Sequence, residues 1–356
     1  MNTPDYRAGQ ERMRHIPEPA PEVEDLPAGP SNTAYPLNEQ GKDDFNVGGV
    51  ERTLPPEEQL EQLVSYMNAT YPVPDFTPPW KGGSGDPGDA DRYVANLPDR
   101  YVANLPDRIT HAAMLMLGSG LDHTMPGVAY GMNIGTTREL PALSDLPDLP
   151  GQVDIPARIF VPTAPTGRWA VSLHSGGWWR GSGQALELQW RPEVAAAAEL
   201  SGTTILDLDH PLAPEADLDE ILDSVRKAIG YVRSQEPASV TLWGYSSGGA
   251  LAALAAAEDA AAGKEVDALV LTFPDLGSVA NLPEDLRGGH TVPSPTEWPR
   301  TLLQVALQDE IAARPDTTGT EDRVQVAEYH STHRIATPAE NRRRVRDIAD
   351  FLRSVD

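Results

Sequence analysis

The chain of 356 residues has no cysteine, which excludes a disulfide framework and any thiol nucleophile. Lysine is scarce, present only at Lys42, Lys81, Lys227 and Lys264, so arginine carries most of the positive charge. Positive charge is itself in deficit: 28 Lys and Arg face 53 Asp and Glu, a net charge of −25. Such a surface repels phosphate backbones and anionic bilayers, so neither nucleic acid nor membrane is expected as a partner. We read the acidity as a solubility feature. Long apolar runs are missing too: Met1–Leu26 has no hydrophobic leader core, and no stretch approaches a membrane span. The expectation is a soluble, cytoplasmic protein. No metal-ligand spacing and no phosphate-cradling glycine loop is evident, so no cofactor and no metal is implied.

Enough hydrophobic residues remain, 40% of the chain, to build a sizeable core. Residues 1–50 are rich in Pro, Glu, Asp, Asn and Gly and read as a flexible acidic arm. Residues 51–150 read as an N-terminal cap segment. Within it, Leu60, Leu63, Val64 and Met67 recur at helical spacing and predict a helix over Pro55–Thr70. A Pro/Gly-rich loop over 71–88 follows. Asp91–Pro98 (DRYVANLP) is then repeated letter for letter as Asp99–Pro106. Two copies are too few for a solenoid, and we read a duplication tolerated in a loop or cap. Ile109–Leu117 predicts a further helix, while 118–135 supports no assignment.

From Val153 the pattern alternates between strand and helix, which predicts an α/β fold with a mostly parallel sheet over 151–356. The strands fall at 156–161, 169–173, 203–208, 239–243, 266–273, 301–306 and 324–329, and the helices at 185–200, 217–234, 247–262 and 338–354. Thr337, Pro338 and Glu340 predict a capping-box start for the last helix, with Val345, Ile348 and Leu352 as its buried stripe.

Trp243-Gly-Tyr-Ser-Ser-Gly-Gly-Ala250 lies between a predicted strand and a predicted helix. This is a G-x-S-x-G element in strand–turn–helix context, which would expose Ser246 at a helix N-terminus. A plain turn of small residues is the bland alternative. A second signature, His174-Ser-Gly-Gly-Trp178, closes a strand 72 residues upstream. It resembles the HGGG-type oxyanion loop of lipases and esterases, with Gly176 and Gly177 as amide donors and the Ser247 amide joining them.

A serine hydroxyl needs a base to take its proton and an acid to orient the base. In elbow-bearing folds these follow in the order Ser, acid, His. Asp309 follows the strand 301–306 and is the preferred acid, with Glu310 the alternative. His333 lies in the turn after the strand 324–329 and is preferred as base over His330, which continues the strand. His15, His111, His123, His210 and His290 have no such placement.

These residues together resemble the hormone-sensitive-lipase-like esterase branch of the α/β-hydrolase superfamily. The likeness rests on HSGGW (174–178), DHPLAPE (209–215), GYSSGG (244–249), LQDE (307–310) and STHRI (331–335), and spans about 155–356. It implies the α/β-hydrolase fold with an N-terminal helical cap and a Ser246–His333–Asp309 triad. DHPLAPE departs from the branch's DYRLAPE at His210 and Pro211, and Ser175 stands where the first glycine of HGGG is expected. Only 63 residues separate Ser246 from Asp309, short for the branch, which shifts the cap to residues N-terminal of the core. Trp178, Trp179 and Tyr245 are candidate pocket-lining residues, with buried packing the alternative for the two tryptophans. The expected activity is hydrolysis of small, short-acyl esters by a serine carboxylesterase. An arylformamidase-like amide hydrolase and a non-catalytic ligand receptor on the same scaffold remain as alternatives.

Overall fold

The computed structural model describes residues 45–47, 50–52, 54–70, 77–83, 136–140, 157–183 and 185–356. The DRYVANLP repeat, the helix predicted at 109–117 and most of the cap segment lie outside them. Two compact units are present, Met1–Pro55 and Pro56–Asp356. Strands β1 (Phe45–Val47) and β2 (Val50–Arg52) of the first unit pair antiparallel. Their sequence, FNV-GG-VER, carries a two-glycine hairpin signal inside the stretch read as an arm.

The second unit opens with helix α1 (Pro56–Thr70), at the predicted place. Its main body is an eight-stranded sheet in the order β10-β9-β8-β7-β5-β6-β4-β3. The strands are β3 (Thr136–Leu140), β4 (Ala157–Val161), β5 (Arg168–Leu173), β6 (Thr204–Leu208), β7 (Ser239–Tyr245), β8 (Ala268–Thr272), β9 (Arg300–Ala306) and β10 (Val324–Tyr329). From β5 to β10 all pairings are parallel, while β3 and β4 run antiparallel at one edge. Strand β3 was not expected from the sequence, because its polar run TTREL shows no apolar alternation.

Helices α2 (Arg191–Ser201), α3 (Leu218–Ser234), α4 (Ser247–Ala261) and α5 (Pro338–Arg353) cover the sheet. Strand side chains alternate between two cores, as the two-residue period requires. Val171, Leu173, Leu206 and Leu242 pack with Leu222, Val225 and Ile229 of α3 and the alanines of α4. Ala170, Ile205, Trp243 and Leu302 pack with Val194 and Ala197 of α2 and Ile348, Phe351 and Leu352 of α5. The helix predicted at 185–200 begins instead as a π-turn, Leu186–Trp190, before α2. That turn lets consecutive residues reach one acid: the Trp190 indole N–H and Arg191 Nε donate to Asp207 at 2.9 and 3.0 Å. Ser172 Oγ adds a third bond of 2.7 Å, so Asp207, wholly buried in β6, is neither bare nor unpaired.

Only half of the predicted capping box forms at α5. Thr337 Oγ1 accepts from Glu340 N at 3.4 Å, but the Glu340 carboxylate accepts from His330 N at 2.9 Å instead of reaching back. The competing backbone donor lies at the end of β10, so α5 is tied to the strand that precedes it. Helix α5 is also tied to α2 through buried Arg344 and Glu193, 2.5 Å apart. Removing one member of such a pair strands the other's charge in the interior. Glu193→Ala is expected to lower the unfolding free energy by about 3–5 kcal/mol, read from urea midpoints against the parent.

Candidate active site

All parallel strands end at the same edge of the sheet, so the loops after β5, β6, β7, β8, β9 and β10 share one face. At the end of β7 the chain reverses through Ser246, whose φ of 56° and ψ of −120° lie in a region L residues avoid. Such a conformation costs about 1–3 kcal/mol and persists only where neighbours over-determine it. Here Ser246 N donates to Thr272 O at 3.0 Å, and Ser246 O accepts from Gly249 N and Asp275 N at 2.9 and 3.0 Å. Two glycines make the turn possible. A Cβ on Gly248 would stand 2.4 Å from both Leu173 O and His174 O, and one on Gly244 would stand 2.0 Å from Gly248 O.

The reversal brings Ser246 to the loop that follows β10. His333 Nε2 lies 2.8 Å from Ser246 Oγ. On the far side of the ring, His333 Nδ1 lies 2.9 and 3.1 Å from the two carboxylate oxygens of Asp309. Asp309 Oδ1 also accepts from the amides of Ile311 and Ala312 at 2.8 and 2.7 Å, closing its own turn. The alternatives weighed from sequence fall elsewhere. Glu310 accepts from the His333 backbone N–H at 2.8 Å rather than from the ring. His330 Nδ1 faces Glu57 of α1 at 3.3 Å.

Tyr245 is buried, and its hydroxyl donates to His333 O at 2.5 Å while its ring lies 5.6 Å from the imidazole. It therefore braces the histidine from behind. Burial pushes the Tyr245 phenol well above its ordinary range, so it stays protonated and keeps donating. A cavity of about 650 Å³ opens between α1 and the loops after β9 and β10, lined by Leu60, Glu61, Val64, Gln308 and Thr332 among others.

The loop after β5 folds back on itself. Gly176 has φ 134°, and a Cβ there would stand 1.6 Å from Arg180 O. Trp178, also at positive φ (78°), packs into the core at 2% exposure, and its carbonyl accepts from Ala213 N at 2.8 Å. Trp179 is buried beneath the Arg180 guanidinium, 5.1 Å from the ring centroid. Gly177 N donates to Ser247 Oγ at 3.0 Å, joining this loop to the first residue of α4.

Sequence reasoning did not find the group that pins the neck of this loop. Asp209, just after β6, accepts from Ser182 Oγ at 2.5 Å and stands 3.5 Å from His174 Nε2. His174 Nδ1 meets Ser175 O at 2.7 Å, and its ring stacks on His210 with centroids 3.9 Å apart. The signal was present in DHPLAPE, where His210 departs from the expected tyrosine and supplies a flat partner for His174. Burial, followed by the charge of His174, pushes the His210 imidazole down to about 3, so it stacks as a neutral ring.

A family model described as the alpha/beta hydrolase fold matches residues 170–320. The chain has the α/β-hydrolase fold. Its mostly parallel sheet covered by helices is the architecture of that fold. An esterase of Pyrobaculum calidifontis is similar at 19% identity and a TM-score of 0.51, over 70% of this chain and 92% of that one. A solved arylesterase is similar at 16% identity and a TM-score of 0.51, over 74% and 96%. Carboxyl esterase 2 of Tuber melanosporum is similar at 15% identity and a TM-score of 0.50, over 64% and 88%. No curated protein sequence matches.

The fold favours the Asp309 carboxylate despite its partial burial. Burial raises its pKa, but the His333 hydrogen bond and charge, then the two turn amides, bring the carboxyl below the ordinary 3.8. A carboxylate depressed by folding adds stability that is complete above its unfolded pKa and is lost as pH falls through the folded value. The increment separating the parent from Asp309→Asn is therefore expected to be constant from neutral pH down to about 4 and to shrink below that. Denaturant midpoints of both proteins across an acid titration check this, and an increment insensitive to acid would sink it.

Proposed function

We propose that this protein of the α/β-hydrolase fold is a serine carboxylesterase acting on small, short-acyl esters through a Ser246–His333–Asp309 triad. The carrying observation is the single imidazole that spans 2.8 Å to a serine hydroxyl and 2.9 Å to a carboxylate. In this reading Ser246 Oγ attacks the ester carbonyl carbon as its proton passes to His333 Nε2. Asp309 fixes the tautomer through Nδ1–H and stabilises the imidazolium. The oxyanion is assigned to the amides of Gly176, Gly177 and Ser247, at the dipole-positive start of α4, with the Gly177 N–H engaged by Ser247 Oγ before substrate arrives. Collapse of the tetrahedral intermediate expels the alkoxide, which takes the proton from His333, and leaves an acyl group on Ser246. Water, deprotonated by His333, then releases the acid.

The motifs that resemble the hormone-sensitive-lipase-like branch support the same reading, as do the esterases among the similar folds. A fold alone would not, because function lives in the site. The domain roles follow: 151–356 carries the chemistry and 51–150 supplies the cap. The absence of cysteine favours a cytoplasmic setting, and among the described residues no helix is long and apolar enough to cross a membrane. Among those residues, too, no group of His, Asp and Glu is arranged to hold a metal ion.

Hydrolysis of p-nitrophenyl esters from acetate to decanoate, with a matched formamide in parallel, tests the reading. The parent is expected to favour the short esters, and Ser246→Ala to lose about 10⁶-fold in kcat. Turnover undiminished in Ser246→Ala overturns the serine mechanism, and a preference for the formamide moves the substrate class from esters to amides.

A further inference from the structure

Ser247 carries more than an amide. It is buried at 2% exposure, and its Oγ is filled on the acceptor side by Gly177 N–H at 3.0 Å. A serine hydroxyl has one proton to give as well as lone pairs to fill. Among the described residues, no acceptor takes that proton. Capping does not explain the hydroxyl, because Ser247 is the first residue inside α4 and no side-chain cap bond forms there. Packing does not demand it either, since the neighbours Gly248, Gly249 and Ala250 show that only small size is needed. A buried polar group with an unused donor, one residue from the nucleophile, wants a partner that arrives during the reaction.

The position says which partner. The amides expected to meet the oxyanion belong to Gly176, Gly177 and Ser247, yet the Gly177 amide already points at the Ser247 hydroxyl. With its N–H bond engaged by that oxygen, the Gly177 amide does not reach a charge in front of Ser246 except by giving up the Ser247 hydroxyl or by acting through it. The hydroxyl is thus either an obstacle to the Gly177 donor or its extension.

We propose that the Ser247 hydroxyl is a catalytic donor to the oxyanion, with the Gly177 amide acting through it. Rotation about Cβ–Oγ turns the proton toward the substrate oxygen while Oγ keeps its bond from Gly177. Accepting that bond polarises the O–H and makes it the stronger donor, as in any hydrogen-bonded chain. No atom is transferred; the substrate oxygen gains one hydrogen bond as its charge develops. The hydroxyl proton also adapts to the lengthening C–O bond, which a fixed amide does not.

The inference rests on the esterase reading, and the experiment separates the two. Parent, Ser246→Ala, Ser247→Ala and Ser247→Thr are compared on the favoured p-nitrophenyl ester, with thermal midpoints to check folding. Ser247→Ala is expected to lose about ten- to a hundredfold in kcat with little change in KM. That is less than the usual hundred- to thousandfold for one donor, because the freed Gly177 amide takes part of the load. Inhibition by an alkyl trifluoromethyl ketone, whose adduct bears an oxyanion, should weaken in step, and Ser247→Thr should recover most of both losses. A loss in Ser247→Ala smaller than about tenfold, or a gain, marks the hydroxyl as an obstacle and overturns the inference alone. A loss carried by KM, with ketone inhibition unchanged, also overturns it. Full activity in Ser246→Ala, or an inactive parent, removes the esterase reading and the inference with it.

Discussion

The constraint on which the site depends is backbone against backbone at Gly248. The first turn of α4 lies so close to the end of β5 that a methyl group at 248 would stand 2.4 Å from two carbonyl oxygens. Everything reactive is referred to that contact. It fixes the start of α4 against the loop after β5, and so sets Ser247 beside Gly177 and aims Ser246 at the loop after β10. The left-handed strain at Ser246 is bearable because its neighbours in β8 and the following loop hold both of its peptide groups.

Around this contact the protein arranges two histidine–aspartate pairs of different character. His333 and Asp309 meet at hydrogen-bond distance, with the other edge of the ring on a serine. His174 and Asp209 meet more loosely at 3.5 Å, and the other ring nitrogen is spent on the loop's own backbone. The first geometry suits the proton transfer proposed for it, and the second suits holding a shape. The stack with His210 suits the second task, since two flat rings resist rotation without needing charge.

The core of the fold was legible because strand–helix alternation past residue 153 is a strong signal and glycines mark the elbow. Ser246, Asp309 and His333 could be named from their places at strand ends, and the observed distances bring those side chains together. The edge strand β3 was invisible, because its polar run TTREL carries no apolar alternation to read. The hairpin of β1 and β2 was passed over although its two glycines announce it. The capping box at Thr337 was only half right, since a local pattern does not reveal that His330 N competes for Glu340. Asp209 was missed for the same reason: its partners lie 27 and 35 residues upstream, and no spacing rule links them.

The turn after β9 divides the labour of one small side chain. Asp309 gives Oδ1 to the amides of Ile311 and Ala312, which shape the turn, and presents both oxygens to His333. Those two duties are compatible only at the length of an aspartate. A glutamate, one methylene longer, would have to abandon either the turn or the ring. The neighbouring Glu310 therefore cannot inherit the role by a small shift of the chain, and at this strand end the two acidic residues are not evolutionary synonyms.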